Sequence, residues 1–338
     1  MFDDALLESR TALAGADDAL RRLARAGARV RIEYEQAEPL IDQLRGQDRP
    51  RAVIAAGTDA RLIRALLEPA CPVPFVAWPN DGLPGWVGAL DLVIVLASDA
   101  SDLGLVATVH EAVRRGASLV VACPERSIVA DHAGSSATTL LPTTTGDRLA
   151  AAVVVLAGLH LAHLGPVVEP AKVADAMDKI AEDCSPFVDI ASNPAKDLAL
   201  GLAESQPLVW GGSVLAARAS RRIAEALRAA SGRPALAADA EALLPVLMAT
   251  EARDPFADPF EDADAERRPT LIVLDDGNST DVVRAARGRL VTSAERTDVR
   301  VCVLGHEHGS DVERYAALLL TGQFAAVYLA VGLGHYRG

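Results

Sequence analysis

Residues 91–123, DLVIVLASDASDLGLVATVHEAVRRGASLVVAC, leave a chain few folds to choose from. The run 92–97 is unbroken and apolar, the pattern of a strand buried on both faces. A polar turn follows, Ser98-Asp99-Ala100-Ser101-Asp102. Next comes a helical period, with Leu103, Val106, Val109 and Val113 on one face and Glu111, Arg114 and Arg115 on the other. Gly116 closes that helix, and 118–123 reads as a second buried strand. Such a unit pairs its strands in parallel, and parallel sheets bind ligands outside the carboxyl ends of their strands. The turn at 97–102 is therefore the first place to look for chemistry.

The remaining chain carries the same alternation. Residues 51–56 read as a strand whose turn, Gly57-Thr58-Asp59, opens a helix that stops near Glu68-Pro69. Strand 73–78, a Pro/Gly loop at 79–89, strand 137–141 and an apolar helix at 147–164 complete the first half. Residues 165–192 form a boundary that contains a helix at 171–184. In the second half, strands fall at 208–210, 234–238, 270–274 and 299–304, with helices at 214–230, 239–248, 281–291 and about 310–331. Gly211-Gly212-Ser213 stands where Gly57-Thr58-Asp59 stood, and 275–280 matches 97–102. The expectation is an α/β protein of two duplicated domains, 46–165 and 193–338, each a five-stranded parallel, flavodoxin-like sheet flanked by helices. Residues 1–45 read as a helical extension (5–13, 16–26 and 35–44) covering an edge or face of the first sheet.

A length of 338 residues suits two cores better than one. The net charge of −13 argues against binding nucleic acid through a basic face. Apolar residues fall in runs read as too short and too interrupted to cross a bilayer, and the acidic start lacks a basic signal region, so the expected location is cytoplasmic, away from membranes. Cys71, Cys123, Cys184 and Cys302 lie far apart and predict neither a zinc site nor a disulfide framework. The acidic insertion 250–268 repeats Asp-Pro-Phe at 254–256 and 258–260; it reads as a solvated loop or as a segment presenting two Phe to a partner.

Three further features fall in order. They are the loop Gly82-Leu83-Pro84-Gly85-Trp86-Val87-Gly88, the segment Asn193-Pro194-Ala195-Lys196, and Tyr328-Leu329-Ala330 in the last helix. In this arrangement residues 50–334 resemble the bifunctional phosphoglucose/phosphomannose isomerase family, built of two sugar-isomerase (SIS) domains. The resemblance implies a homodimer, a sugar-phosphate site between domains and aldose–ketose interconversion without a cofactor or metal. It also exposes departures. Where the family holds phosphate on Ser-Tyr-Ser-Gly-Asn-Thr, this chain has Ala97, Ser98, Asp99, Ala100, Ser101 and Asp102. Its first-strand turn, Gly-Met-Gly-Gly-Ser in the family, is Ala55-Ala56-Gly57-Thr58-Asp59. The catalytic stretch Glu-x-Asn-His-Asn-Glu falls near 240–245, where Glu241 is the one acidic residue and no histidine occurs between His163 and His306.

Helix N-termini attract anions through unpaired N–H groups and the helix dipole. Asp99 and Asp102 can satisfy those donors as caps, at a gain of about 0.5–1 kcal/mol. A phosphate about 4 Å from one such carboxylate meets roughly 4 kcal/mol of repulsion at an effective dielectric near 20, about three decades in affinity. Capping in a disused site is thus one reading, and a changed ligand recognised by Asp59, Asp99 and Asp102 the other, unless an arginine or metal intervenes. The second half offers Gly211, Gly212 and Ser213 with Gly277, Asn278, Ser279 and Thr280 as anion donors, or as ordinary caps. Glu241, or His306 and His308 in the loop after 299–304, are the candidate proton-transfer groups. The functional expectation is a sugar-phosphate-binding SIS protein with lost or weak isomerase activity; the alternatives are a working aldose–ketose isomerase and a structural or regulatory partner.

Overall fold

The computed structural model describes residues 2–98, 101–251, 268–278 and 280–336. Three helices open the chain: α1 (Arg10–Gly15), α2 (Asp17–Ala24) and α3 (Ala26–Ile41). Then follow β1 (Val53–Ala56), α4 (Ala60–Leu67), β2 (Phe75–Trp78), β3 (Leu92–Leu96), α5 (Leu103–Arg114) and β4 (Ser118–Cys123). α6 (Ile128–His132), β5 (Thr138–Pro142), α7 (Arg148–Leu161), α8 (Pro170–Asp183) and α9 (Pro194–Gly201) lead to the second sheet. That half contains β6 (Gln206–Gly211), α10 (Val214–Ser231), β7 (Leu236–Ala237), α11 (Ala240–Met248), β8 (Pro269–Asp275), α12 (Asp281–Arg296), β9 (Arg300–Gly305) and α13 (Asp311–Gly332).

The chain divides into two compact units. One comprises 26–176 with 310–312, and the other comprises 1–25, 177–309 and 313–338. The N-terminal helices are thereby shared out: α3 packs on α7 and β5 of the first sheet, while α1 and α2 belong to the second unit. The first sheet runs β2-β1-β3-β4-β5, all parallel, and the apolar runs 53–56 and 92–96 are wholly buried, as strands covered on both faces must be. Its order reverses between β1 and β3, so the turns after those strands flank the switch point.

The second sheet runs β7-β6-β8-β9, again parallel, and reproduces the first as far as the fourth strand. The expected fifth strand has no counterpart among the described residues. After β9 a short turn leads straight into α13, and the chain is spent on that 22-residue helix instead. α13 also corrects the expectation about bilayers. It is long and apolar enough to cross one by length and composition, but 89% of its most apolar stretch is buried inside the fold, the behaviour of a core helix.

α5 sits one position round from the face assigned to it. Leu105, Thr108, Val109 and Ala112 are buried, Val106 and Val113 pack partly against the core, and Leu103 is 73% exposed. Leu103 is the first residue past the cap, where the helix has not yet reached the sheet. The crossover from β2 to β3 is the 82–88 loop, not a helix. Leu83 and Val87 enter the core, and Arg115 donates to the carbonyls of Pro84 (2.7 Å) and Val87 (3.2 Å). Arg51 pairs with buried Asp91 (2.6 Å), which holds the carboxyl of Asp91 below its ordinary value against the opposing effect of burial.

Candidate functional site

Two rims of strand carboxyl ends are candidates, one in each unit. In the first, Gly57, Thr58 and Asp59 follow β1, and Asp59 heads α4 without capping it. The carboxylate is 6% exposed and lies 3.5 Å from the guanidinium of Arg148, the first residue of α7, which is itself 60% exposed. The repulsion expected at this rim is therefore countered: an arginine intervenes, and it presents the remainder of its guanidinium to solvent. Asp102 does cap α5, accepting from the N–H groups of Gly104 (2.9 Å) and Leu105 (3.2 Å). Ser98 and Ser101 are described beside it, half-buried and exposed. Asp99 lies outside the described residues, as do Ser279 and 252–267 with both Asp-Pro-Phe repeats.

Beyond β3 the same rim opens into a cleft of about 760 Å³, lined by Ser98, Glu125, Gln36 and the 143–146 loop after β5. Thr143 is 6% exposed, and its Oγ1 has no hydrogen-bond partner among the described residues. A buried hydroxyl of that kind is costly unless something else satisfies it. The loop is fixed from behind by Glu33 of α3, which is 1% exposed. Glu33 accepts from Thr144 N–H (3.1 Å), Thr145 N–H (2.6 Å) and the Thr145 hydroxyl (2.5 Å). Arg29, one turn earlier, pairs with Asp147 at 2.6 Å, and Asp147 in turn caps α7 immediately before Arg148.

The second rim is knit by the chain's own groups, including Arg287 of α12, which pairs with Asp275, and Arg314, which donates to the Asp276 carbonyl at 2.7 Å. Gly211 passes so near α10 that a Cβ there would lie 2.2 Å from the Ala216 carbonyl carbon. Gly212 is half-buried beside it, against Trp210 and Val283. Ser213 caps α10, accepting from Ala216 N–H at 2.9 Å, and donates its hydroxyl to Asp276 Oδ2 at 2.5 Å. Asp276 Oδ1 also accepts from Asn278 N–H (3.3 Å), and Asp275 Oδ1 accepts from Gly277 N–H (3.1 Å). Thr280 caps α12, accepting from Val283 N–H at 3.4 Å. Gly277, at φ +76°, brings this turn against Glu307, so that the 275–278 turn and the 306–308 loop meet. The N–H groups and the hydroxyl that would hold an anion are thus given to the chain's own carboxylates.

His306 lies in that loop, its N–H bonded to the Asp275 carbonyl at 2.8 Å. Burial pushes its pKa below the ordinary histidine value, aided by the neighbouring His308 and opposed by Glu313. Neutral imidazole is the form a base needs. His308 is exposed, and no described group of three or more ligating side chains forms a metal site. Glu241 is elsewhere in function if not in fold. It is exposed in the first turn of α11 and pairs with Arg289 of α12 at 2.5 Å, on the helix pair that covers the sheet. No described contact joins it to His306 or His308. Nothing in the sequence signals Arg148 or Glu33, which acquire their roles from partners far along the chain, or Thr143, whose hydroxyl is marked only by burial without a partner.

Two parallel sheets of five and four strands, each flanked by helices, match the double SIS-type fold found in phosphosugar isomerases. Residues 191–335 match the model of the bacterial phospho-glucose isomerase C-terminal SIS domain. The chain is similar in structure to tagatose-6-phosphate ketose/aldose isomerase from Escherichia coli, with a TM-score of 0.69 and 14% identity over 96% of this chain and 95% of that one. It is also similar to the C-terminal domain of glucosamine-fructose-6-phosphate aminotransferase from Francisella tularensis (TM-score 0.63, 10% identity, 93% and 96% covered). A glucose-6-phosphate isomerase like protein from Thermus thermophilus gives a TM-score of 0.50 at 16% identity, with 90% and 92% covered. No curated protein matches the sequence.

Proposed function

We propose that this chain is a cytoplasmic sugar-phosphate-binding SIS protein, related to the glucose 6-phosphate and mannose 6-phosphate isomerases, in which isomerase activity is lost or weak. The observation that carries the reading is the contrast between the rims: a second-unit turn filled by Asp275 and Asp276, and a first-unit rim with an exposed Arg148 guanidinium and a cleft lined by an unsatisfied Thr143 hydroxyl. A phosphoryl group binds the exposed face of Arg148, whose guanidinium matches its oxygens in a fork. The sugar hydroxyls meet Thr143, Ser98 and Gln36 in the cleft. Catalysis fails because enediol chemistry needs a base at the reacting carbons, and Glu241 faces Arg289 on the surface of α11.

The alternative is a working isomerase with His306 as base, favoured by its half-buried position and lowered pKa. Two measurements separate the readings. In a coupled assay with fructose 6-phosphate, the binding protein forms no glucose or mannose 6-phosphate, while a His306 enzyme forms one of them and loses the activity in His306→Asn. In thermal unfolding, glucose 6-phosphate raises Tm in the wild type, and the rise disappears in Arg148→Ala and shrinks in Thr143→Val. Absence of any rise with either hexose phosphate refutes the binding role.

A further inference from the structure

Glu125 sets the charge of the first-unit cleft. It follows β4, at the same rim as Ser98 after β3 and Thr143 after β5, and lines that cleft with them. Every other lining residue is uncharged at neutral pH, so the wall carries one negative charge and no positive one. Among the described residues no cation pairs with Glu125, and exposed Arg126, next in the chain, does not line the cleft. The Thr143 hydroxyl on the same wall, 6% exposed and without a partner, is a second sign that the cleft takes a polar ligand.

The start of α5, another place at this rim where an anion could settle, is already taken. Asp102 accepts from the N–H groups of Gly104 and Leu105. Asp81 lies against the same turn, with Oδ1 2.2 Å from where a Cβ on Gly104 would stand. A phosphoryl group is left with the guanidinium of Arg148, two residues past Gly146 of the cleft wall. The rim thus offers a cation for one end of its ligand and a lone carboxylate for the rest. A sugar hydroxyl can donate to that carboxylate, but an ammonium donates and also cancels its charge, which makes the bond roughly twice as strong.

Given that the rim binds a sugar phosphate at all, we infer that its ligand is a hexosamine phosphate, with the ammonium on Glu125 and the phosphoryl group on Arg148. The test is isothermal titration calorimetry on the full chain, slightly below neutral pH, where the amine is protonated and Glu125 ionised. The probes are glucose 6-phosphate, glucosamine 6-phosphate and N-acetylglucosamine 6-phosphate. The wild type binds glucosamine 6-phosphate about fivefold more tightly than glucose 6-phosphate, the worth of a solvent-exposed ion pair. The N-acetyl sugar, which has lost the charge, shows no such preference. Glu125 is exposed, so its replacement leaves the packing intact. In Glu125→Gln the ratio of the first two affinities falls to about one, and in Glu125→Lys it inverts. Glucose 6-phosphate binding as tightly as the amino sugar overturns the proposal and leaves the sugar-phosphate reading standing. The same holds if the preference survives in Glu125→Gln, or if the N-acetyl sugar shares it, since recognition then does not run through charge. Silence with all three sugars overturns both.

Discussion

Glu33 offers a sharp test of how the cleft is built. Its carboxylate is buried, yet its role is to hold a surface loop, and three donors converge on it. Hydrogen bonds to a charged acceptor contribute about 1.5–3 kcal/mol each, against about 0.5–1.5 for neutral ones. Thr144 is exposed, so water replaces the partner of its N–H group; the loss falls on the Thr145 N–H and hydroxyl, both of which use Oε1. In Glu33→Gln the amide oxygen keeps both contacts as neutral bonds, a loss of about 1 kcal/mol each and about 2 in total. Glu33→Ala orphans both donors and costs about 4 kcal/mol, between one and three per unsatisfied group with the lost packing added.

Urea unfolding followed by tryptophan fluorescence measures this, since Trp78 and Trp86 lie in the first unit and report its transition. The midpoint moves down while the slope is unchanged, because the surface exposed on unfolding is the same. The glucose 6-phosphate shift in Tm weakens in parallel, because the loosened loop carries Thr143. There is a competing term: taking a carboxylate out of water is expensive, and replacing a buried charge is in some proteins stabilising. If Glu33→Gln unfolds at the wild-type midpoint or above it, desolvation outweighs the hydrogen bonds and the clamp reasoning is refuted.

Three other outcomes follow from the second unit and the thiols. Gly211→Ala puts a methyl 2.2 Å from backbone that cannot step aside, and costs about 3 kcal/mol in a chemical denaturation curve; a loss under about 1 kcal/mol means the α10 start is free to shift. For His306, the folded pKa lies below the unfolded one, so between the two values the unfolded chain binds more protons and stability rises with pH, levelling above about 6.5. The Tm of His306→Asn relative to wild type is accordingly more favourable at acidic pH than in the alkaline plateau, and a difference independent of pH would contradict the burial. Burial raises the thiol pKa at all four cysteines, to about 12 at Cys184, and Cys71 alone is not buried. A thiol reagent under native conditions therefore modifies Cys71 first, and fast labelling of Cys184 would contradict the packing around it.

Both parallel sheets were legible in the sequence because strands buried on two faces write themselves as unbroken apolar runs. The segment 118–123 is an example, matching β4 residue for residue. The fifth strand expected in the second sheet rests on duplication alone, and duplication does not constrain what a chain does after its last shared element. The apolar spacing marks a helix at 35–44, whereas α3 spans Ala26–Ile41, because AGARVRIEY offers little contrast between apolar and polar faces and Pro39 sits inside the helix. Of the site, the caps were legible: Asp102 and Ser213 precede helices and do what short polar side chains do there. The pairings were not. Nothing local marks Glu33 as the acceptor for Thr145, or Arg148 as the partner of Asp59, since a long-range contact leaves no period in the sequence.

The two rims also show why an aspartate in a binding turn cannot be read alone. Asp59 follows β1 and Asp276 follows β8, and both are about 5% exposed. Asp276 is answered by the hydroxyl of Ser213, across from the turn after β6, and by the Asn278 N–H group of its own turn, and this spends donors an anion would need. Asp59 is answered by Arg148, which brings in a cation with more donors than one carboxylate uses. The first arrangement spends backbone and hydroxyl donors on carboxylates, and the second leaves a guanidinium largely exposed beside one. Charge alone does not separate two turns that both carry aspartate; the partner each carboxylate finds decides whether donors at that rim stay exposed.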